Sequence, residues 1–445
     1  MSCTMLKGFK ALPLPMSQLS LAAVLKCGQS FRWTAHPLYP AGTTSIAEPT
    51  HEYRYCLRDR VVCLRQSADT LFYRSVYPDI LNGISSAPES SGDHEKRDLE
   101  TLAFLRDYFQ LDIDLATLYD YWSNRDPVFK GVRDRFTGLR MLRQDPWETI
   151  VSFICSSNNN ISRITKMVQS LSTHFSPALV SISTPTIQGA TDVEGEEDIS
   201  YHAFPPPSVL AAPSVSAKLR SLGFGYRAEY IQRTAEMLID EHGSDREVQK
   251  WLLGLRNMST DDARTELLKF VGVGRKVADC ILLMCLDKRE VVPVDTHVHQ
   301  IAMKYYGVRG KAGTKLPMTP KLYDEVNDKL ANIWGDFAGW AHSVLFTADL
   351  RSFSSFGLPS PSPSPIKEIR ESTVKLPPTP SPSPRKRMRR DRVEDNLQKA
   401  ENVLSGLSEF ADVSTLDGDM ADRVKKRRRV AAIRRPVTMS DLSEW

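Results

Sequence analysis

The stretch 267–300 reads LLKFVGVGRKVADCILLMCLDKREVVPVDTHVHQ, and the rest of the chain is organised around it. It contains a Gly-Val-Gly turn at residues 272–274, a lysine at Lys276 and an aspartate at Asp295. Apolar residues after the turn recur at steps of three and four residues, which is helical periodicity. The segment before the turn is also a plausible helix, so the stretch is predicted to fold as helix, tight turn, helix.

The turn and the start of its second helix are suited to contact an anion. Gly272 and Gly274 allow a close backbone approach, and the amides of the turn and of the helix N-terminus can bind a phosphate. Arg275 and Lys276 lie at the helix end that disfavours cations. This placement is understandable if Arg275 faces phosphate and Lys276 is neutral part of the time, because helix polarity and burial lower a lysine pKa. A neutral lysine is a nucleophile.

Asp295 follows a break at Pro293 and is predicted to cap a further helix. Capping alone would explain this aspartate. Alternatively, the same carboxylate also stabilises positive charge at a sugar carbon beside a reactive lysine. Its negative charge would raise the pKa of Lys276 and oppose the helix dipole, and the sequence leaves open which effect prevails.

Length and composition exclude several classes of protein. The 445 residues, 41% of them hydrophobic, allow two or three domains with buried cores. No run of eighteen apolar residues is present, and the N-terminus is not typical of a secretion signal, so we expect no membrane association. The seven cysteines contain no CxxC pair. This spacing excludes zinc fingers and a four-cysteine iron–sulfur cluster and is typical of reduced intracellular thiols.

The net charge of +4 is unevenly distributed along the chain. From residue 351 onward, 19 Lys and Arg face 13 Asp and Glu, and the first 350 residues hold 39 against 41. Bulk charge therefore does not predict nucleic-acid binding by the globular part, which would need a local basic surface.

The pattern along the chain predicts an α+β protein. Residues 1–126 group strand-like segments with few helices, which indicates an antiparallel sheet packed on helices. Residues 127–353 are mainly helical. Within them, residues 176–215 are rich in Ser, Thr, Pro and acidic side chains and are predicted to be a flexible insertion. Residues 354–445 repeat Ser-Pro and Thr-Pro and are predicted to be a disordered tail.

Two basic clusters in the tail suggest where the protein acts. They are Arg385–Arg390 and Lys425–Arg429. Such clusters serve as nuclear import signals or as non-specific DNA tethers, and phosphorylation of the Ser-Pro sites would weaken either role. We expect a nuclear protein, with mitochondria as an additional location.

Six ordered segments between about residues 12 and 353 together resemble one family. They are CGQSFRW at 27–33, RQDP at 143–146, SFICSSNNN at 152–160, LGFGYR at 222–227, the turn with Lys276 and Asp295, and AGWA at 338–341. This set is similar to the eukaryotic 8-oxoguanine DNA glycosylases of the helix-hairpin-helix superfamily. The resemblance implies an N-terminal domain like half of a TATA-binding protein.

The resemblance also implies a role for each site residue. Lys276 and Asp295 would be catalytic, and the flipped base would be held by Gly28, Cys280, His342 and Phe346. His342 replaces a glutamine that is usual in the family, and by spacing alone His342 and Phe346 could equally be core residues. The orphaned cytosine and the gap in the duplex would be contacted by Asn158, Arg163, Tyr226 and Arg227, although composition alone favours a loop cap at Asn158. The backbone would meet Gly272, Gly274, Arg275 and His297, with Asp349 orienting His297.

The implied activity is excision of 8-oxoguanine opposite cytosine from double-stranded DNA, followed by β-elimination through a lysine Schiff base. No metal or organic cofactor is needed for this chemistry, and a monomer is expected. A glycosylase for another base, such as adenine opposite 8-oxoguanine or an oxidised pyrimidine, is an alternative. A DNA-binding module without activity is another, and it predicts that Lys276→Gln leaves all DNA-dependent properties intact.

Overall fold

The computed structural model describes residues 6–39, 48–78, 91–185, 197–308 and 318–358. The predictions for the C-terminal tail beyond residue 358, including both basic clusters, lie outside the described residues. Within the described ranges, every helix is too short or too polar to cross a bilayer.

The N-terminal part contains one antiparallel sheet. Its strands are β1 (Lys10–Pro13), β2 (Thr34–Pro37), β3 (His51–Cys56), β4 (Val61–Gln66) and β5 (Thr70–Val76). The order across the sheet is β1-β5-β4-β3-β2, so that β2 to β5 form a meander and β1 pairs with β5. Two helices accompany it, α1 (Leu21–Val24) and α2 (Ser91–Tyr108).

One face of the sheet packs on α2 through aromatic and aliphatic side chains. Trp33 stacks on Tyr55 with ring centroids 4.9 Å apart, and its indole N–H donates to the Tyr108 hydroxyl at 3.0 Å. The aromatic rings give this small core most of its apolar area, and each buried polar atom of the Trp–Tyr pair has a partner.

The remainder of the described chain is mainly helical. Its helices are α3 (Leu115–Arg125), α4 (Pro127–Val132), α5 (Pro146–Ser156), α6 (Ile161–Phe175), α7 (Pro207–Leu210), α8 (Val215–Ser221), α9 (Arg227–His242), α10 (Asp245–Gly254), α11 (Thr260–Leu267), α12 (Arg275–Cys285), α13 (Thr296–Tyr305), α14 (Pro320–Trp334) and α15 (Ala338–Asp349). Single 3-10 turns cover Leu255–Asn257, Gly335–Phe337 and Arg351–Phe353. The predicted class, an antiparallel sheet followed by a mainly helical part, is confirmed.

Helices α5 and α12 pack against each other at the centre of the helical core. All residues from Pro146 to Cys155 are buried, and so are all from Val277 to Cys285. Close-packed interiors move little on average. The first turn of α12, which carries Lys276, is therefore presented on a rigid support.

The insertion at 176–215 is not uniformly flexible, which corrects the prediction from its composition. Its flanks form β6 (Ala178–Ser183) and β7 (Asp198–His202), paired as an antiparallel hairpin, and α7 follows. The hairpin packs on the N-terminal sheet through Tyr201, Ile182 and Ile199. Arg54 of β3 donates to the carbonyls of Ile182 and Ser183 at 3.4 and 2.9 Å. These tertiary contacts, which composition does not reveal, order the two strands.

A buried ion pair joins the sheet to the helical core. Arg32, just before β2, donates from Nη2 to Glu148 Oε2 of α5 at 2.7 Å and from Nη1 to the carbonyl of Cys56 at 2.8 Å. Tyr55 donates to the same Glu148 oxygen at 2.9 Å. The guanidinium pairs with the carboxylate and is thereby kept charged, because Glu148 raises the pKa of Arg32 by more than burial lowers it.

Candidate active site

The Gly-Val-Gly turn between α11 and α12 uses its two glycines for different reasons. Gly272 has φ +86°, and a Cβ there would lie 2.5 Å from Cδ2 of Tyr230, so no other residue fits without rearrangement. Gly274 has φ −92° and open space around its Cα, and it is the residue from which α12 begins. At Gly274 the absent side chain leaves the N-terminus of α12 accessible to an approaching anion.

Lys276 lies in the first turn of α12 and lines a cavity of about 940 Å³. Its ammonium nitrogen is 5.5 Å from the centroid of the Phe153 ring, which belongs to α5. Asp295, Gly28, Cys280, His342, Phe346 and His297 line the same cavity. The structure thus brings together the predicted catalytic residues, the predicted base-binding residues and one predicted backbone contact.

The protonation of Lys276 differs from the expectation that its pKa is lowered. Burial lowers the pKa of Lys276, but Cys280 and the Asp295 carboxylate raise it by more, and the net pKa is above the ordinary lysine value. The Cys280 thiol is itself raised to a pKa of about 11, mainly by burial. In this structure the amine is therefore protonated at neutral pH, and any nucleophilic step requires it to lose a proton first.

Asp295 caps α13, as predicted. Its Oδ1 accepts hydrogen bonds from the amides of His297 and Val298, both at 2.9 Å. Within the described chain no hydrogen bond engages Oδ2. One oxygen thus holds the helix while the side chain also lines the cavity beside Lys276, so the capping role does not exclude the electrostatic one.

The loop that carries Gly28 is fixed by its neighbour Gln29. The Gln29 side chain donates to the carbonyl of Arg140 at 3.1 Å and accepts from the amide of Leu142 at 2.9 Å, and Gln144 donates to its carbonyl. Gly28 has φ +91°, and a Cβ would lie 2.9 Å from Cδ1 of Ile161. The backbone of Gly28 is therefore held in one conformation at the cavity wall.

Phe346 and His297 form the side of the cavity near the end of α15. Their rings meet edge to face with centroids 5.1 Å apart. His297 Nε2 lies 3.1 Å from Asp349 Oδ2 but outside hydrogen-bond alignment. The contact places Asp349 where it can orient His297, which agrees with the predicted pair.

His342 projects from α15 into the cavity with both ring nitrogens unpaired among the described residues. It is 8% exposed. Burial lowers its pKa to about 4, against an opposing effect of Asp295 and with small contributions from Lys276 and His297. A neutral imidazole offers one donor and one acceptor, and both are free for a molecule in the cavity.

A second cavity of about 720 Å³ adjoins the first and shares Lys276 and Asp295 with it. Asn158 lines it, in a left-handed backbone conformation with φ +47° that asparagine tolerates better than most residues. Arg227 donates to the carbonyls of Ser157 and Asn158 and is 3% exposed. The Asn-rich turn is thus clamped from behind by a buried arginine.

Tyr226 and Arg163 lie beside this turn but line neither cavity. Tyr226 is 47% exposed, its hydroxyl donates to the Ser157 carbonyl at 3.1 Å, and its ring packs edge-on against Tyr230. Arg163 is exposed and donates to the carbonyl of Gly223 at 3.1 Å. Asn158, Arg163, Tyr226 and Arg227 therefore form one surface next to the cavities.

Arg275 is engaged within the protein. Its Nη2 lies 2.6 Å from Asp324 Oδ1, and the guanidinium lies over the Tyr323 ring at 4.5 Å. The predicted phosphate contact of Arg275 would have to replace this ion pair.

Comparison with known proteins identifies the fold and the site together. Residues 11–150 match the family described as 8-oxoguanine DNA glycosylase, N-terminal domain, and residues 151–323 match the HhH-GPD superfamily of base excision DNA repair proteins. The N-glycosylase/DNA lyase of Saccharomyces cerevisiae is 36% identical over 77% of this chain and 86% of its own length. The chain belongs to the 8-oxoguanine DNA glycosylase family. It is accordingly a DNA glycosylase with an associated abasic-site lyase activity that acts in base excision repair.

Two further relatives support the assignment to the 8-oxoguanine DNA glycosylase family. An N-glycosylase/DNA lyase of Arabidopsis thaliana is 36% identical over 76% of this chain and 80% of its own. The solved structure of a protein named MBOgg1, in complex with a low-affinity DNA ligand, is 26% identical with a TM-score of 0.55 and covers 76% of this chain and 94% of its own.

Three features of this glycosylase site escaped the sequence analysis. Phe153 faces Lys276, Gln29 anchors the Gly28 loop, and Arg227 is buried behind the Asn158 turn. Phe153 lies inside one of the quoted segments and Gln29 inside another, so the segments signalled their importance but not their contacts. In the part of the chain that the structure describes, no group of three or more His, Cys, Asp or Glu side chains could hold a metal ion.

Proposed function

We propose that this glycosylase removes 8-oxoguanine opposite cytosine in double-stranded DNA and then cleaves the abasic strand through a Schiff base on Lys276. One observation carries the proposal: the lysine and Asp295 lie on the wall of the same cavity as Gly28, Cys280 and Phe346. A nucleotide flipped into this cavity would have its sugar near the amine and its base between the remaining residues.

Recognition of the oxidised base is assigned to the Gly28 carbonyl. Guanine presents a bare acceptor at N7, whereas 8-oxoguanine carries a hydrogen there. A carbonyl held at the cavity wall gains a hydrogen bond with the lesion and faces a second acceptor with the normal base. The fixed conformation of Gly28 supports this role because a mobile carbonyl would turn away from an unfavourable partner.

The covalent step begins when Lys276 loses its proton. Burial under the flipped nucleotide lowers the amine pKa further and favours this loss. The nitrogen lone pair then bonds to C1′, and the bond from C1′ to N9 breaks with its electron pair leaving on the base, which takes up a proton. The Asp295 carboxylate stabilises positive charge at the sugar while this bond breaks.

The strand is cleaved after the sugar ring opens to an iminium between Nζ and C1′. Removal of a proton from C2′ forms a double bond to C3′, and the phosphate on C3′ departs with the electron pair of its C–O bond. Water then hydrolyses the iminium, which frees the amine. The protein supplies the amine and the carboxylate, and this sequence requires no external oxidant or reductant.

The surface around the second cavity is assigned to the duplex. Tyr226 is exposed enough to wedge between base pairs, and the turn at Asn158, clamped by Arg227, would fill the space that the flipped nucleotide leaves. Arg163 would contact the orphaned cytosine. Gly272, Gly274 and Arg275 would meet phosphates near α12, with His297 near the cavity. The partner is a duplex with oxidised guanine, bound by a monomer.

A trapping experiment tests the lysine. The protein is incubated with a duplex containing 8-oxoguanine opposite cytosine, and borohydride reduces any Schiff base to a stable adduct. We expect an adduct with the unmodified protein and none with Lys276→Gln. Lys269→Gln, a change at an exposed lysine paired with Glu266 in the same segment, is the control and should keep the adduct. A protein that binds the duplex but forms no adduct would instead be a binding module.

We also propose that the protein acts in the nucleus, with mitochondria as an additional location. The basic clusters Arg385–Arg390 and Lys425–Arg429 support import. Replacing the Lys and Arg of both clusters by Gln should shift a fluorescent fusion out of the nucleus, and unchanged nuclear accumulation would refute an import role.

A further inference from the structure

Tyr323 of α14 connects the two segments that carry Lys276 and Asp295. Its hydroxyl donates to Asp279 Oδ2 at 2.5 Å and accepts a hydrogen bond from the amide of Val294 at 3.1 Å. Asp279 lies on α12, one turn after Lys276, and Val294 immediately precedes Asp295. One buried hydroxyl therefore spans the helix of the amine and the segment of the carboxylate.

The direction of these hydrogen bonds is fixed by Asp279. This carboxylate is fully buried, and its other oxygen accepts from Arg264 Nε of α11 at 2.8 Å. A buried carboxylate needs donors, so the tyrosine must donate to it and has a lone pair left for the amide. Burial and the neighbouring carboxylate raise the pKa of Tyr323 far above its ordinary value, and the hydroxyl keeps its proton at every working pH.

The segment that needs this support has no regular structure of its own. Residues 291–295 lie between α12 and α13 outside any helix or strand. One turn further along α14, Asn327 donates to the carbonyl of Val292 at 2.8 Å. Helix α14 thus holds the backbone on both sides of Pro293, immediately before the aspartate.

We propose that Tyr323 is a positioning residue, which fixes Asp295 relative to Lys276 by holding Val294 against Asp279. The proposal rests on the roles assigned above to the lysine and the aspartate. A catalytic pair must be held within fractions of an ångström, so loosening this link slows the chemical step and leaves DNA affinity unchanged.

Tyr323→Phe is the appropriate variant. It removes the hydroxyl but keeps the ring on which the Arg275 guanidinium lies. The matched control is Tyr306→Phe. Tyr306 is also buried and donates to a carboxylate, Asp126 Oδ2, at 2.7 Å, and this carboxylate likewise has a second donor, Trp334 Nε1. Both variants therefore lose the same kind of hydrogen bond, but only one loses it beside the catalytic pair.

The measurements are single-turnover excision at saturating protein, the rate and final yield of the borohydride adduct, and the Kd for a duplex with an uncleavable analogue. All are made well below the melting temperature of each variant. We expect Tyr323→Phe to slow excision and adduct formation about tenfold, with unchanged final yield and Kd. Tyr306→Phe should match the unmodified protein in all four.

Three outcomes overturn the proposal. Rates in Tyr323→Phe equal to those of the unmodified protein would show that the hydroxyl is dispensable. Equal slowing in Tyr306→Phe would show that general loss of stability is the cause. Lys276→Gln is run in parallel, and an adduct that persists in it would refute the lysine assignment itself and with it the positioning role, whatever Tyr323→Phe does.

Discussion

At the scale of single residues, the cavity holds titratable groups whose protonation follows from burial and from each other. His342 is kept neutral and Lys276 charged, although both lie on the same wall. The difference arises because the imidazole has no hydrogen-bond partner to offset its desolvation, whereas the amine faces Cys280 and Asp295.

The buried imidazole should make the protein sensitive to acid. The pKa of His342 is about 4 when folded against 6.5 when exposed, so the unfolded chain binds the extra proton first. Its contribution to stability is present above pH 6.5 and is lost as the pH falls toward 4, up to about 3 kcal/mol. Urea unfolding of His342→Gln should show a smaller loss between pH 7.5 and 4.5. His174→Gln, at an exposed histidine, should lose as much as the unmodified protein, and an equal loss in His342→Gln would contradict the prediction.

The lysine pKa leads to a second prediction for Asp295. Because the carboxylate raises the pKa of Lys276, Asp295→Asn should lower it, and a larger fraction of the amine is then neutral at a given pH. The test is Schiff-base formation with a preformed abasic duplex, which bypasses base removal. Its pH profile in Asp295→Asn should shift to lower pH, while excision of the base becomes slower because the sugar cation loses its counter-charge. An unshifted profile would show that the carboxylate does not act on the amine.

At the scale of elements, the Gly-Val-Gly turn makes opposite predictions for its two glycines. Gly272→Ala would place a methyl group 2.5 Å from the Tyr230 ring at a positive φ, so we expect it to destabilise the protein by about 1–3 kcal/mol. Gly274→Ala has room and an ordinary φ, so stability should be kept, but the methyl group would obstruct a phosphate at the α12 N-terminus. Urea unfolding and duplex affinity measured on both variants check this, and equal destabilisation by the two would be contrary to it.

The ion pair between α12 and α14 also makes a prediction. Asp324→Asn removes the partner of Arg275 and a negative charge near the proposed phosphate site. Both changes should tighten duplex binding, with the gain lost at high salt because it is electrostatic. Asp328→Asn, one turn further along α14, is the control, and it should leave affinity nearly unchanged. Weaker binding by Asp324→Asn would show that the pair organises the surface instead of competing with DNA.

Much of this element-scale structure was predictable from local pattern. The periodicity around 272–274 gave the two helices, and the position of Asp295 after a proline gave its cap, because both depend on residues a few positions apart. The set of cavity residues came from the family resemblance. The sign of the Lys276 pKa, the partner of Arg275 and the buried state of Arg227 depend on residues 48 to 70 positions away or on net desolvation, which local pattern does not contain.

At the scale of the whole molecule, the sheet and the helical core share the buried pair of Arg32 and Glu148. Glu148→Gln would leave a buried guanidinium without a counter-charge, and we expect a loss of about 3–5 kcal/mol in the free energy of unfolding. Glu247→Gln breaks an exposed pair with Lys250 and should cost less than about 1 kcal/mol. Urea denaturation compares them, and a small effect at Glu148 would mean that water or other groups solvate the arginine.

The same pair constrains how the newly made chain reaches its final form. Arg32 leaves the ribosome 116 residues before its carboxylate partner, and the carbonyl of Ser183 follows Arg54 by 129 residues. Until those later residues appear, the first-made strands cannot bury their guanidinium groups without a large desolvation cost. Completion of the sheet therefore waits for the hairpin at 178–202, and during translation the exposed strands need shielding from other nascent chains.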